Sequence, residues 1–201
     1  MFSTDRIAKG LYWDRLWRLV DGCTPCSPGC QHDWAAREAK LRTYGAKDLL
    51  GPDGMWNGNI RVRPDHLDLP LHTKKPTSWL ILNDLFHEDV PNEFILKTWE
   101  AMFNQERHVF LVLTKRIEKM NKWCSDHSIM PRGHIWPGVT VCNQQEADEK
   151  IPLLLQIPAK VRWVSIEPML GPINLTGNDK GQFCKKAAGR LLDGREWNKF
   201  P

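Results

Sequence analysis

The chain reads as an α/β protein with a parallel sheet, and three observations lead there. Continuous apolar, β-branched runs alternate with amphipathic stretches of helical length, the pattern of buried parallel strands joined by crossover helices. Polar residues gather just after each apolar run, at the end of the strand where parallel α/β folds bind ligands. The 201 residues bury one domain's core without staples.

Taken in order, Trp34–Arg42 is expected to be a helix opened by His32 and Asp33, with Asp33 as N-cap. A Gly/Pro-rich patch follows at Gly51–Gly58, then Asn59–Arg63 alternates polar and apolar like a short strand. Three similar blocks come next. Ser78–Leu82 is an apolar run followed by Asn83-Asp84 and a helix from about Pro91 to Asn104, Pro91 being tolerated in a first turn. His108–Leu113 is followed by Thr114-Lys115-Arg116 and a helix to about His127. Ile135–Val141 is followed by Cys142-Asn143 and a helix to about Gln156. Val161–Ile166 opens a fourth block that ends in Glu167-Pro168.

About five or six strands are expected, fewer than the eight of a closed barrel, which takes ~250 residues. The predicted architecture is a partial (β/α) barrel over residues 1–175, with a polar tail over 176–201. An unclosed parallel sheet leaves an edge exposed, so a dimer or another partner is expected to cover it.

Composition sets the class. Hydrophobic residues at 41% and charged residues at 26% are ordinary for a globular chain. A net charge of +4 without a dense Lys/Arg run permits nucleic-acid contact but does not predict it. Ten tryptophans are several times the usual share, and most fall where they should pack. There is no apolar run of the ~18 residues that a bilayer needs, and no signal-peptide core, so a cytoplasmic location with reduced thiols is expected.

The chemistry concentrates in Cys23-Thr24-Pro25-Cys26-Ser27-Pro28-Gly29-Cys30-Gln31-His32-Asp33. Clustered cytosolic cysteines more often mean metal or redox chemistry than a disulfide framework. Three thiolates on one loop suit an iron–sulfur cluster. With His32 they also supply four N/S ligands for zinc, although His32 follows Cys30 more closely than zinc-finger spacing allows. Thiols that merely pack are the third alternative. Cys124 and Cys184 read as ordinary thiols, and His66, His72, His108, His127 and His134 are too scattered for a metal site.

Other candidates follow the strands. Asp84 and His87 can bind substrate or handle protons, or else cap a turn and hold a loop. Lys115 and Arg116 can bind a carboxylate or phosphate, since basic residues at an early helix turn oppose the helix dipole. Glu167 can hold an amine or pair with an arginine, and Asn143 sits equivalently after Val141.

These residues resemble a family of phage and prophage proteins of unknown function marked by a three-cysteine motif, itself similar to radical S-adenosylmethionine (SAM) enzymes. The matching stretches include Gly22–Pro25, Ser27–Cys30, Trp56–Gly58, Arg63–Leu71, Asp84–Pro91, Leu113–Arg116, Trp136–Val141 and Val164–Pro172, with Lys185–Trp197 resembling the family's C-terminus. The resemblance implies a [4Fe–4S] cluster held by three cysteines and a SAM molecule on its open iron, giving a 5′-deoxyadenosyl radical. On this reading Cys23, Cys26, Cys30 and Asp33 are the candidate metal set, and the residues placed after the strands become candidates too: Asp84, His87 and Glu167 for catalysis, Lys115, Asn143 and Glu167 for binding the cofactor. In phage, a nucleobase is the plausible substrate class. The family pattern expects cysteines at 23, 30 and 33, and this chain has Asp33 there; Cys26, which the pattern does not require, can restore the count. Between Leu175 and Gln182 the chain also lacks strands that the family carries, so it looks internally shortened. A second reading follows: a shortened member that has lost catalysis and acts as a binding or inhibitory protein on a host factor, a nucleic-acid-associated one among the candidates.

Overall fold

The computed structural model describes residues 12–41 and 45–175. The expected tail over 176–201 lies outside the described residues. Five strands form one parallel sheet in the order β1 (Arg15–Arg18), β4 (Ser78–Leu82), β5 (Val109–Thr114), β6 (Ile135–Thr140), β7 (Trp163–Ser165). Parallel neighbours need crossovers, and helices supply three of them. They are α2 (Asn92–Phe103), α3 (Ile117–Asp126) and α4 (Gln144–Gln156). The parallel α/β expectation therefore holds, with boundaries displaced by one or two residues.

Two strands were not anticipated. β1 is a four-residue edge strand, in register Arg15 with Trp79 through Arg18 with Leu82. β2 (Val20–Gly22) pairs antiparallel with β3 (Ile60–Val62), which gives the Asn59–Arg63 strand its partner. Gly22 ends β2 with φ +83°, and a Cβ there would lie 2.2 Å from the carbonyl oxygen of Asn59. Only glycine fits this close approach, so the chain leaves β2 in a fixed direction into Cys23.

The sheet carries a continuous apolar core. Trp17 of β1, Trp79 of β4 and Phe110 of β5 form its aromatic centre, with ring centroids 6.3 and 5.4 Å from Trp17. Trp123 of α3 packs on Trp99 of α2 and Phe86, at 5.2 and 5.9 Å. Five of the ten tryptophans, Trp17, Trp56, Trp79, Trp99 and Trp123, are thus core, whereas Trp34 is exposed. A smaller cluster joins Ala35, Ala36 and Ala39 of α1 (Trp34–Leu41) to Ala46, Leu49 and Trp56. The small alanine face admits the Trp56 ring beside the thiol loop.

Candidate functional site

The thiol loop, Asp84, His87, Lys115 and Arg116 meet at the C-terminal edge of the sheet. Asp84 follows β4 and accepts four hydrogen bonds. Thr114 Oγ1 at 2.7 Å and Phe86 N at 3.0 Å reach one oxygen, while Lys115 N and Arg116 Nη1, both at 3.1 Å, reach the other. A buried carboxylate so fully satisfied is a tether between the ends of β4 and β5. Asn83, at φ 60°, turns the chain there and donates from Nδ2 to Val20 O at 2.8 Å.

Arg116 extends this tether to the loop. Its Nε donates to both oxygens of Glu88 at 2.9 and 2.7 Å, and its Nη2 donates to Thr24 O at 2.9 Å. Burial opposes the charge, but Asp84, Cys23, Cys26 and Glu88 outweigh it and hold the guanidinium firmly protonated. His87, buried, fixes the same residue from the other side. Its Nδ1 accepts from Asp89 N at 3.2 Å, so Nε2–H donates to Thr24 Oγ1 at 2.9 Å. Thr24 Oγ1 in turn donates to Gly58 O at 3.0 Å. Burial and then the Arg116 charge press the His87 pKa below its ordinary value, consistent with a neutral ring.

The three loop thiols differ sharply. Cys23 is half-buried, donating weakly to Thr24 O at 3.6 Å and accepting from Arg116 Nη1 at 3.9 Å. Burial pushes its thiol up to about 11, with Asp84 adding and Arg116 opposing. Cys26 is exposed and Cys30 buried, with the Cys26 N–H 3.5 Å from Cys30 Sγ. Interaction with the Cys26 side chain is the chief reason Cys30 falls to about 5; burial opposes, and Lys115 and backbone N–H groups assist. The same interaction raises Cys26. Lys115 is half-buried among these groups. Burial works against its charge, but Cys30, Asp33, Cys23 and Cys26 together raise its pKa.

Asp33 does what its place before a helix predicts. One oxygen accepts from Ala35 N at 2.8 Å, and the other from the Trp56 indole at 3.2 Å. Asn143 likewise caps α4, accepting from Glu146 N at 2.9 Å. Glu146 reaches back to Cys142 N at 2.8 Å and receives Lys150 Nζ at 2.6 Å. Glu167 stands exposed beyond β7, where its charge helps to raise the pKa of Tyr12 behind the larger effect of burial. Asn143 and Glu167 therefore sit further along the same sheet edge. They are linked to the loop through their neighbours: Cys142 Sγ lies 3.7 Å from Ser27 Oγ, and a Cβ on Gly29 would lie 3.0 Å from Pro168 Cδ.

Sequence reasoning did not single out Thr24 or Glu88. Glu88 lies inside the Asn83–Glu88 segment, but the role of Thr24 depends on a carbonyl and a hydroxyl that carry no pattern of their own. Among the described residues, no group of three or more His, Cys, Asp or Glu side chains converges as a metal-holding set. Nor is any described helix long and apolar enough to cross a membrane.

Fold and site together define an α/β protein with a thiol-rich loop clamped onto the C-terminal edge of a parallel sheet. The chain belongs to the family described as protein of unknown function (DUF5131), whose model matches residues 9–181. No curated protein and no solved structure matched it.

Proposed function

We propose that this chain is a radical-SAM-like protein whose loop sulfurs hold a [4Fe–4S] cluster, with SAM, on a partial (β/α) barrel. The observation that carries the reading is the position of three thiols on one loop at the strand ends, beside a buried-edge cation, Lys115. The strand order supports the barrel half of the reading. Each crossover steps to the next strand in the same direction, and right-handed connections of that kind place their helices on one face, as in a (β/α) barrel.

The donor types suit such a centre, three soft sulfurs on one loop, although the side chains do not converge among the described residues and only Cys30 has its thiolate favoured, Cys23 and Cys26 being raised. Cys23 holds only long, weak contacts, which a metal can displace. Asp33 does not join the donor set, because both of its oxygens serve the cap and the Trp56 indole. When bound, the cluster supplies one-electron reduction of SAM, the hard chemistry that the protein itself lacks. The chain's own residues have simpler tasks. Arg116 and His87 position Thr24 and hence the loop, Asp84 fixes the strand ends, and Lys115 balances thiolate charge or receives a carboxylate. A modified nucleobase is one substrate class that a phage setting would suggest, and no residue of this site selects it.

A second reading has its own support. Asp33 is committed to structure, and exposed apolar side chains Trp34, Met169 and Leu170 lie on the segments flanking the loop and Pro168. That arrangement favours a shortened member that binds a host protein or nucleic acid rather than catalysing. Anaerobic reconstitution with iron and sulfide, counting iron, sulfide and zinc per chain, separates the readings. About four irons with a broad thiolate-to-iron band support the cluster. Zinc alone supports a structural site, and an iron-free chain after reconstitution overturns the radical reading in favour of the binding one.

A further inference from the structure

Cys26 and Cys30 are arranged as a reactive pair, which cluster binding alone does not require. The turn between them is stiff: Pro28 restricts it, Gly29 N donates to Ser27 Oγ at 3.3 Å, and Cys30 N donates to Ser27 O at 2.9 Å. This brings the sulfur of Cys30 to 3.5 Å from the Cys26 nitrogen. That nitrogen is one ~1.5 Å bond from the Cys26 Cα, so the turn sets the Cys30 sulfur beside the Cys26 backbone, four positions away in sequence. The other described thiols are engaged elsewhere. Cys23 faces Thr24 O and Arg116, Cys124 packs in the core, and Cys142 meets Ser27. Exposure is unequal as well: Cys26 is open to solvent and Cys30 is 5% exposed.

We infer that Cys26 and Cys30 form a reversible disulfide by exchange with an external disulfide, and that this bond closes the loop to metal. The accessible Cys26 attacks one sulfur of the external disulfide, forming a mixed disulfide and releasing one external thiol. Cys30 then attacks the Cys26 sulfur, breaking the mixed bond and releasing the second thiol. Two protein thiols and one external disulfide give one internal disulfide and two external thiols. The two thiol protons end on the leaving sulfurs, and two electrons pass from chain to reagent. Closure to metal follows because two of the three loop sulfurs are then spent on each other. This second half rests on the iron–sulfur reading, whereas the disulfide does not.

The test uses the full chain, reduced and desalted without oxygen, then equilibrated in mixtures of reduced and oxidised glutathione. Acid quenching, alkylation and fragmentation of the segment carrying Cys23, Cys26 and Cys30 locate each bond. The expected result is loss of two alkylatable thiols per chain with a Cys26–Cys30 link, retained in Cys23→Ser and absent in Cys26→Ser. Cys26 and Cys30 both staying alkylatable in the most oxidising mixture overturns the inference. So does glutathione held on Cys26 without closure, or a link from Cys23. Iron reconstitution is then compared between the two forms, with an expected loss of at least tenfold in the disulfide form. Equal iron in both overturns the switch. An iron-free reduced chain overturns the cluster reading and the switch with it, while the disulfide stands on its own mapping.

Discussion

Arg116 Nη2 donates to the carbonyl oxygen of Thr24 at 2.9 Å, joining the end of β5 to the thiol loop across 92 positions of sequence. The same guanidinium is paired with buried Asp84 and with Glu88, whose side chain is 64% exposed. Breaking a buried pair by removing one partner leaves an uncompensated charge, at a cost of about 3–5 kcal/mol. Arg116→Ala should show a loss in that range in urea unfolding, and faster proteolysis within the thiol loop. Glu88→Ala removes only an exposed partner and should cost under about 1 kcal/mol. Arg116→Lys keeps the charge but loses the planar fork, and should fall between the two. Equal unfolding midpoints for the first two variants would refute the clamp.

His87 should make stability depend on pH. Its folded pKa lies below the ordinary 6.5, through burial first and the Arg116 charge second. The carboxylates of Glu88, Asp89 and Asp84 oppose the shift without reversing it. Between the folded and unfolded pKa values the unfolded chain binds more protons, so stability rises with pH there. The contribution is complete above about pH 6.5 and is lost as pH falls through the folded value. His87→Gln should flatten the profile as pH falls below about 6.5, as read by urea midpoints at closely spaced pH. An unchanged slope in the variant would assign the dependence elsewhere.

Much of the fold was legible because buried parallel strands advertise themselves. Ser78–Leu82 is a continuous apolar run, and the polar turn after it did mark the edge of the sheet where the thiol loop sits. Arg15–Arg18 was hidden because an edge strand with arginine at both ends looks like solvated chain. Val20–Gly22 was hidden for a related reason: Asp21 is buried, and it is tolerated only because Arg18 and Arg63 pair with it. In the site, Asp33 was readable as a cap because capping is local. The clamp on Thr24 was not, since it joins a peptide oxygen to a side chain far away in sequence.

Asp33 separates helix capping from metal chemistry. Asp33→Ala removes the acceptor for Ala35 N and Trp56 Nε1, and should cost about 1 kcal/mol, within the ~0.5–2 kcal/mol seen for lost caps. Asp33→Asn keeps one acceptor oxygen and should cost less than half of that. Neither change should alter iron uptake if Asp33 stands outside the donor set. Asp33→Cys should instead raise iron per chain, a gain that metal analysis after reconstitution reads directly. A fall in iron uptake in Asp33→Asn would put the carboxylate back among the ligands.

Gly138 of β6 is required by its neighbour. A Cβ there would lie 2.4 Å from the Trp163 ring, whose Nε1 donates to Trp136 O at 3.0 Å. Gly138→Ala must therefore displace Trp163 and strain the β6–β7 pairing, costing about 1–3 kcal/mol by overpacking. Gly138→Ala with Trp163→Leu should recover part of that loss. A double variant no more stable than Gly138→Ala alone would show that the ring is not the obstacle.

Glu146 sets the acid limit of the α4 end of the site. Burial alone would raise its pKa, but bonds from Cys142, Lys150 and Ser27 outweigh it and hold the carboxyl down at about 2. With an unfolded value near 4.5, the folded chain binds fewer protons between those limits. The stabilisation is therefore fully present above about pH 4.5 and drains away as pH falls toward about 2. Glu146→Gln keeps the shape but removes the charge facing Lys150, leaving a buried ammonium with a weaker partner. A loss of about 1–3 kcal/mol at pH 7 is expected, shrinking toward zero near pH 2, where the wild-type carboxyl is itself protonated. Because Glu146 also receives the Cys142 N–H, the variant should loosen the Cys142–Ser27 contact and speed alkylation of Cys142 in the reduced chain. Parallel stability curves for wild type and variant from pH 7 to pH 2 would show that this carboxylate carries no acid-sensitive share of the fold.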